Sequence, residues 1–272
     1  MADTIKNLLL IASGKGGVGK STVAANVALS LARQGFAVGL LDADVQGPSV
    51  PTMFGAAARP PARGNLIAPV EKLGLKLMSM GYLVDREQAM VWRGPMMAGA
   101  VSQLVTDVDW GELDYLVVDL PPGTGDIQLT LVQKFKVTGA VLVTTPQDVA
   151  LADVRRAKTM FDKVHVTTLG LVENMSYFIC GTCDTRHEIF SHGGGERLAK
   201  ELELDFLGRV PLEPAVRACG DAGEPVVSAA SGSASAKAFA EIATALARRV
   251  DLENAARAKS EGRRRALPIV RN

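Results

Sequence analysis

Short, almost uninterrupted apolar runs recur along this chain, and longer segments with apolar residues at helical spacing lie between them. Asn7–Ser13, Ala37–Leu41, Leu75–Met80, Asp114–Asp119, Gly139–Thr145 and Val166–Val172 read as strands. Continuous rather than alternating apolarity is the mark of parallel strands buried on both faces. Helices are predicted over Thr22–Arg33 (Val23, Val27 and Leu31 on one stripe), over 147–163 (Val149, Val154, Ala157, Phe161) and over Ser233–Val250 (Ala238, Ile242, Ala245, Leu246). Another runs to Val105, with Pro95 suited to its first turn. Strand and helix in alternation predict an α/β fold, a mostly parallel sheet with helices on both faces. Ligands then gather at the carboxyl ends of the strands. Residues 56–72, rich in Ala, Pro and Gly, are expected to form an exposed excursion.

The first strand and the first helix are joined by Gly14-Lys15-Gly16-Gly17-Val18-Gly19-Lys20-Ser21-Thr22, which matches G-x-x-x-x-G-K-[ST], the phosphate-binding loop, in its proper strand-to-helix context. Glycines let the backbone wrap phosphates, and N–H groups at a helix N-terminus attract anions. Lys20 is expected to contact the β- and γ-phosphates of ATP, and the Ser21 hydroxyl to ligate Mg²⁺. The second strand ends in Asp42-Ala43-Asp44, two carboxylates that share a face in extended backbone. The strand ending at Asp119 reads as the second acidic motif of such enzymes, its carboxylate turned to Mg²⁺ through water. In the Pro121-Pro122-Gly123-Thr124-Gly125 loop behind it, Gly123 stands where a backbone N–H could follow the γ-phosphate, a switch design.

Composition adds bounds. Hydrophobic residues make up 47 % of 272 and aromatics 5 %, which fits a Leu/Val/Ile/Ala core. The net charge of +1 gives no general argument for nucleic acid or an anionic membrane. No apolar run approaches the about 18 residues of a membrane span, and none resembles a signal peptide. A cytoplasmic protein is expected, in which three cysteines form no structural disulfide. We divide the chain into an ATPase domain, 1–250, and a basic tail, 251–272, with six Lys/Arg against three Asp/Glu. Met78, Met80, Met90, Met96 and Met97 are core filler or an adaptable partner surface. Cys219 reads as a buried thiol at a helix end.

Cys180-Gly181-Thr182-Cys183 places two thiols together in a segment that follows a strand and precedes loop. Such a pair serves as a redox dithiol or as part of a metal site. A metal site normally takes four ligands. His187 and His192 could complete a zinc site within one chain, or two chains could each give a cysteine pair to a bridging [4Fe–4S] cluster.

Taken together these motifs resemble two nested groups. The second lysine in the loop, Lys15, resembles that of the MinD/ParA-like ATPases. That resemblance implies a Lys15 that reaches the partner's nucleotide across a homodimer. It further implies an Asp44 that positions the attacking water, an Asp42 that supports the Mg²⁺ shell and an Asn174 that hydrogen-bonds adenine. The wider set is similar to the Mrp/ApbC iron–sulfur cluster carriers over about residues 5–248. It comprises the loop, Asp42-Ala43-Asp44 with Gly47-Pro48-Ser49, Trp92-Arg93-Gly94-Pro95, Asp119 to Asp126, Glu173-Asn174-Met175-Ser176-Tyr177 and the cysteine pair. It implies an ATP-sensitive homodimer that accepts a [4Fe–4S] cluster on Cys180 and Cys183 from a donor and passes it to apo-proteins. Two rivals stand beside it. A MinD/ParA-type positioning ATPase needs a membrane-binding tail or a DNA surface, and residues 251–272 lack bulky apolar residues at helical spacing. A zinc-stabilised regulatory ATPase needs the two histidines as ligands.

Overall fold

The structure, a computed structural model, describes residues 4–64, 66–83, 94–123, 125–183 and 185–265, with 262–265 as backbone only. Met90, Trp92, Arg93 and Thr124 lie outside the described residues. Eight strands form one sheet: β1 (Ile5–Ala12), β2 (Val38–Asp42), β5 (Val70–Lys72), β6 (Leu75–Ser79), β7 (Leu113–Asp119), β8 (Gly139–Thr144), β9 (Thr168–Glu173) and β12 (Phe206–Arg209). Their order is β12-β9-β8-β1-β7-β2-β6-β5. All pairings are parallel except that of β5, which runs antiparallel to β6 at the edge. Two short hairpins stand apart, β3 (Ala62–Arg63) with β4 (Leu66–Ile67) and β10 (Phe178–Ile179) with β11 (Arg186–His187).

The pleat sends successive side chains of one strand to opposite faces, and both faces are covered. In β1, Leu9 and Ile11 enter one core with α1 (Lys20–Arg33) and the last helix, whereas Leu8, Leu10 and Ala12 enter the other. The second core is closed by α3 (Gly94–Thr106), α4 (Asp126–Lys134), α5 (Asp148–Lys163) and α6 (Gly194–Glu201). Shorter helices, α2 (Val50–Met53), α7 (Pro214–Asp221) and α8 (Val226–Ala229), border the carboxyl ends of the strands on the first face. No helix among the described residues is long and apolar enough to cross a membrane.

Two expectations change, and the last helix runs on past residue 250. The 56–72 excursion is exposed over Ala57–Arg59, but its last residues, Val70–Lys72, pair with β6 as the edge strand. The methionines divide: Met78 and Met80 are core, whereas Met96 is 58 % exposed. The domain boundary at residue 250 falls inside one continuous helix, α9 (Ala234–Arg265). Polar anchors carry that helix onward after its apolar stripe fades. Arg257 donates to the carbonyls of Val137 (3.0 Å) and Thr138 (2.8 Å) and pairs with Glu253, which accepts from Thr167.

Candidate functional site

The phosphate loop leaves β1 at Ser13 and enters α1 at Lys20. Gly17 and Gly19 sit at φ +81° and +77°, left-handed backbone that glycine adopts without strain. Gly14 passes so close to α5 that a Cβ would stand 2.4 Å from Asp153. Helix α1 has no side-chain cap on its first turn, which leaves N–H groups at its positive end to meet an anion. Lys20 is buried and forms an ion pair with Asp119, and its ammonium also donates to Ser21 Oγ at 3.3 Å. Lys15 is half-buried beside the loop, and among the described residues no hydrogen-bond or ion-pair partner engages its ammonium.

The sheet register sets Asp42, Asp119 and Ser79 side by side at the ends of β2, β7 and β6. Asp42 is fully buried and used up by the chain around it. Its Oδ1 accepts from Asp44 N (3.1 Å), and its Oδ2 from Ser49 N (2.9 Å), Val50 N (3.1 Å) and Ser79 Oγ (3.1 Å). Burial, together with the negative charge of Asp119, pushes the Asp42 carboxyl up to about 7 against the pull of those N–H groups. Asp42 is therefore the clasp of the segment that follows it. Asp44 is half-buried, lines the phosphate cavity and accepts from Gln46 N and Gly47 N on Oδ1. Burial raises the Asp119 carboxyl, and Lys20 opposes the rise. Its second oxygen, Oδ2, is buried without a hydrogen-bond partner. A buried, orphaned carboxylate oxygen next to a phosphate loop and the Ser21 hydroxyl is a donor set suited to hard Mg²⁺.

Gly123 does not offer its N–H to the cavity. It donates to Ser13 O at 3.1 Å, at φ +92°, and Gln128 Nε2 holds the carbonyls of Pro121 and Gly123. The turn at Gly123 is thus tied to the base of the phosphate loop. Asn174 is also committed to the loop: its Nδ2 donates to Val18 O at 2.9 Å and lies where a Gly19 Cβ would stand. It still lines a cavity of about 460 Å³, with Met53, Met175, Leu212, Val216 and Pro225 among its walls. This cavity shares Thr22, Ser49 and Met53 with the 250 Å³ phosphate cavity. The two cavities thus adjoin along the start of α1.

The cysteine segment projects from the same edge. Cys180 N donates to Thr185 O, and Cys183 Sγ donates to Thr185 Oγ1 at 3.2 Å. The backbone N–H groups of Thr182 and Cys183, then the Cys183 thiol, draw the Cys180 thiol below its ordinary range. All three cysteines are free, and Cys219 is half-buried rather than buried. The histidines stand elsewhere: the His187 ring lies 6.2 Å from that of Phe178, and His192 Nδ1 is 3.1 Å from Glu188. Among the described residues no group of three or more His, Cys, Asp or Glu is placed to hold a metal, so the one-chain zinc site is not formed. Glu173, which the sequence offers only as part of the motif around Asn174 and without a role, is fully buried and holds Ser176 Oγ and Gly195 N. A carboxylate at a strand's carboxyl end, beside the cleft, was the available signal.

Comparison with known proteins agrees with this fold. The family model described as the NUBPL iron-transfer P-loop NTPase matches residues 4–247. An iron–sulfur cluster carrier protein of Synechocystis is 51 % identical over 254 residues, 91 % of this chain and 72 % of that protein. The mouse iron–sulfur cluster transfer protein NUBPL is 49 % identical over 249 residues, 90 % of this chain and 78 % of that protein. Among solved structures, the ADP complex of an Archaeoglobus fulgidus nucleotide-binding protein has a TM-score of 0.72 at 41 % identity, covering 81 % of this chain and 88 % of that one. The cell division ATPase MinD of Pyrococcus furiosus shares the fold, with a TM-score of 0.69 at 23 % identity over 89 % of this chain and 99 % of its own. The chain belongs to the NUBPL iron-transfer family of P-loop NTPases.

Proposed function

We propose that this protein is an ATP-hydrolysing iron–sulfur cluster carrier of the cytoplasm. It accepts a [4Fe–4S] cluster from a donor, holds it between the Cys180 and Cys183 pairs of two copies, and passes it to apo-proteins. The observation that carries the reading is a pair of adjacent, accessible thiols with no further metal ligand assembled around them in the described chain. Two thiolates are half of a four-thiolate cluster site, and a second copy supplies the other half. The names of the relatives point the same way. Exposed apolar side chains support a paired face: Ile179 and Ile189 flank the cysteines, and Val149, 70 % exposed, lies one helical turn ahead of the Asp153 that Gly14 packs against.

In this reading Gly14 to Thr22 cradle the triphosphate through backbone N–H groups, and Lys20 leaves Asp119 for the β- and γ-phosphates. Ser21 and Asp119 would hold Mg²⁺, which would supply screening of the phosphate charge. Asp44 orients the attacking water, and Lys15 of one copy stabilises the transferring phosphoryl group of the other. Asp42 holds the segment that carries Asp44 and thereby supports the Mg²⁺ shell indirectly. Gly123 exchanges its bond to Ser13 for the γ-phosphate, and Asn174 meets the base.

Anaerobic reconstitution tests the carrier reading. Iron is expected to saturate at about two atoms per chain, in a dimeric species with cluster absorbance. Cys180→Ala and Cys183→Ala lose the cluster yet still bind ATP, whereas Cys219→Ala and His187→Ala retain the cluster. About four irons on a monomeric chain would rule out the shared site.

A further inference from the structure

Glu173 ends β9 with its side chain fully buried, and nothing in the proposed reaction uses it. Its two oxygens reach opposite ends of one segment. Oε1 accepts from Ser176 Oγ at 2.6 Å, where the chain sets out toward the cysteines. Oε2 accepts from Gly195 N at 2.5 Å, where the chain has returned and opens α6. Residues 177–194, between these contacts, form the excursion that carries Cys180 and Cys183. The acceptor sits at the positive end of α6, where a carboxylate is favoured. The fit is close, since a Cβ on Gly195 would stand 2.9 Å from Oε2 and one on Gly194 2.7 Å from Pro146 O.

The next residue faces the other way. Asn174 donates to Val18 O inside the phosphate loop, and its own N–H is fixed by Thr144 O. Met175 then turns the chain at φ +53°, a left-handed conformation that is costly for a residue with a side chain, while lining the nucleotide cleft. Ser176 N is held by Val210 O, and Leu212, another wall of the cleft, donates to Tyr177 O. Three consecutive residues thus touch the phosphate loop, the adjoining cavity and the root of the thiol segment.

We propose that Glu173 is a positioning residue that links nucleotide occupancy to the geometry of the two thiols. A nucleotide that tightens the loop around Val18 moves Asn174. The planar peptides on either side carry this displacement to Glu173, whose two hydrogen bonds move both ends of the excursion together. A lone cap on α6 would stabilise the fold without making the thiols responsive to the cleft. The link rests on the carrier reading only for what the thiols hold, not for whether they respond.

The test uses full-length, metal-free protein and follows iodoacetamide alkylation of Cys180 and Cys183 by mass spectrometry, with and without Mg-ATP. The wild-type rate is expected to change about fivefold or more on ATP addition, the lower range for coupled sites. Glu173→Gln preserves volume but cannot accept both bonds, and its ratio should fall close to one while ATP affinity, titrated in parallel, stays near wild type. Ser176→Ala removes one contact only and should give an intermediate ratio. It decides the matter where Glu173→Gln unfolds. Wild-type thiols that ignore ATP, or variants with lower melting points and an unchanged ratio, would overturn the link. Thiols that respond to ATP in a protein that never takes up iron would instead overturn the carrier reading and leave the link standing.

Discussion

Lys20 and Asp119 form an ion pair at the mouth of the phosphate loop, with side chains only 6 % and 0 % exposed. The lysine that the sequence assigns to phosphate is thus matched, in this state, by a protein carboxylate. Removing one member of a buried pair leaves the other charge without compensation, which costs about 3–5 kcal/mol. Asp119→Ala should destabilise the nucleotide-free protein by that order, less whatever Lys20 recovers by turning toward solvent. Without Mg²⁺, so that the metal role of Asp119 does not enter, ATP offers Lys20 a replacement anion and should stabilise the variant more than it stabilises the wild type. Urea unfolding with and without ATP measures both effects. Equal stabilisation of the two proteins would show that phosphate does not take the place of Asp119.

Asp42 carries a different load. Three backbone N–H groups and the Ser79 hydroxyl converge on it, and two of the N–H groups, Ser49 and Val50, open α2. Asp42→Ala leaves these donors unpaired, at about 1–3 kcal/mol for each that stays buried. Residues 44–50 should become readily cleaved by protease, and turnover should fall through the loss of Asp44 placement while ATP still binds. A protease pattern like that of the wild type would count against the clasp role.

At the amino ends of the central strands Asp114 ties β1, β7 and the start of β2 together. Its side chain accepts from Lys6 Nζ (2.8 Å) and from Ala37 N (2.8 Å), and its carbonyl accepts from Asn7 Nδ2. The hydrogen bond from Lys6, then that from Ala37, holds the carboxyl below its usual 3.8. A depressed folded value means that the stabilisation is fully present above 3.8 and is lost as pH falls through the folded value. Wild type should therefore be more stable than Asp114→Asn at neutral pH, by about 1 kcal/mol for a partly exposed group. The two should converge in acid. A stability difference that is flat between pH 7 and pH 2 would assign the effect to packing.

Much of this architecture is legible in local pattern. Continuous apolar runs such as Leu8–Ile11 and Leu116–Val118 can be satisfied only in strands covered on both faces, and the glycine loop admits one placement between strand and helix. What stays hidden depends on contacts distant in sequence. Arg257 extends α9 past its apolar stripe by reaching carbonyls about 120 residues away. Val70–Lys72 becomes a strand only because β6 offers an edge. Within the site, residue types announce chemistry but not present partners: Asp42 is spent on its own loop, Gly123 on Ser13, and Asn174 on Val18. Glu173 stands in a motif that gives it no role of its own, and its significance lies in where Ser176 and Gly195 come together.

The two lysines of the loop should separate cleanly. Lys20 is buried against Asp119, on its own chain's phosphate path, and Lys20→Ala should nearly abolish productive ATP binding. Lys15 stands half-buried at the cavity rim without a partner among the described residues, as a side chain destined for another copy would. Lys15→Ala should bind ATP but hydrolyse it more slowly, by up to about 10³–10⁵-fold if an in-trans cation contributes as much as in related phosphoryl transfers. Complementation gives the sharper measurement. Asp44→Asn chains retain Lys15 but lack the carboxylate that orients water, while Lys15→Ala chains retain Asp44. In a mixed dimer the nucleotide on the Lys15→Ala chain regains both groups, one from each copy. Equal mixing should therefore restore about a quarter of the wild-type rate per chain, since half of randomly paired dimers are mixed and each contains one complete site. A mixture that hydrolyses ATP no faster than the average of its parents would place the action of Lys15 within its own chain.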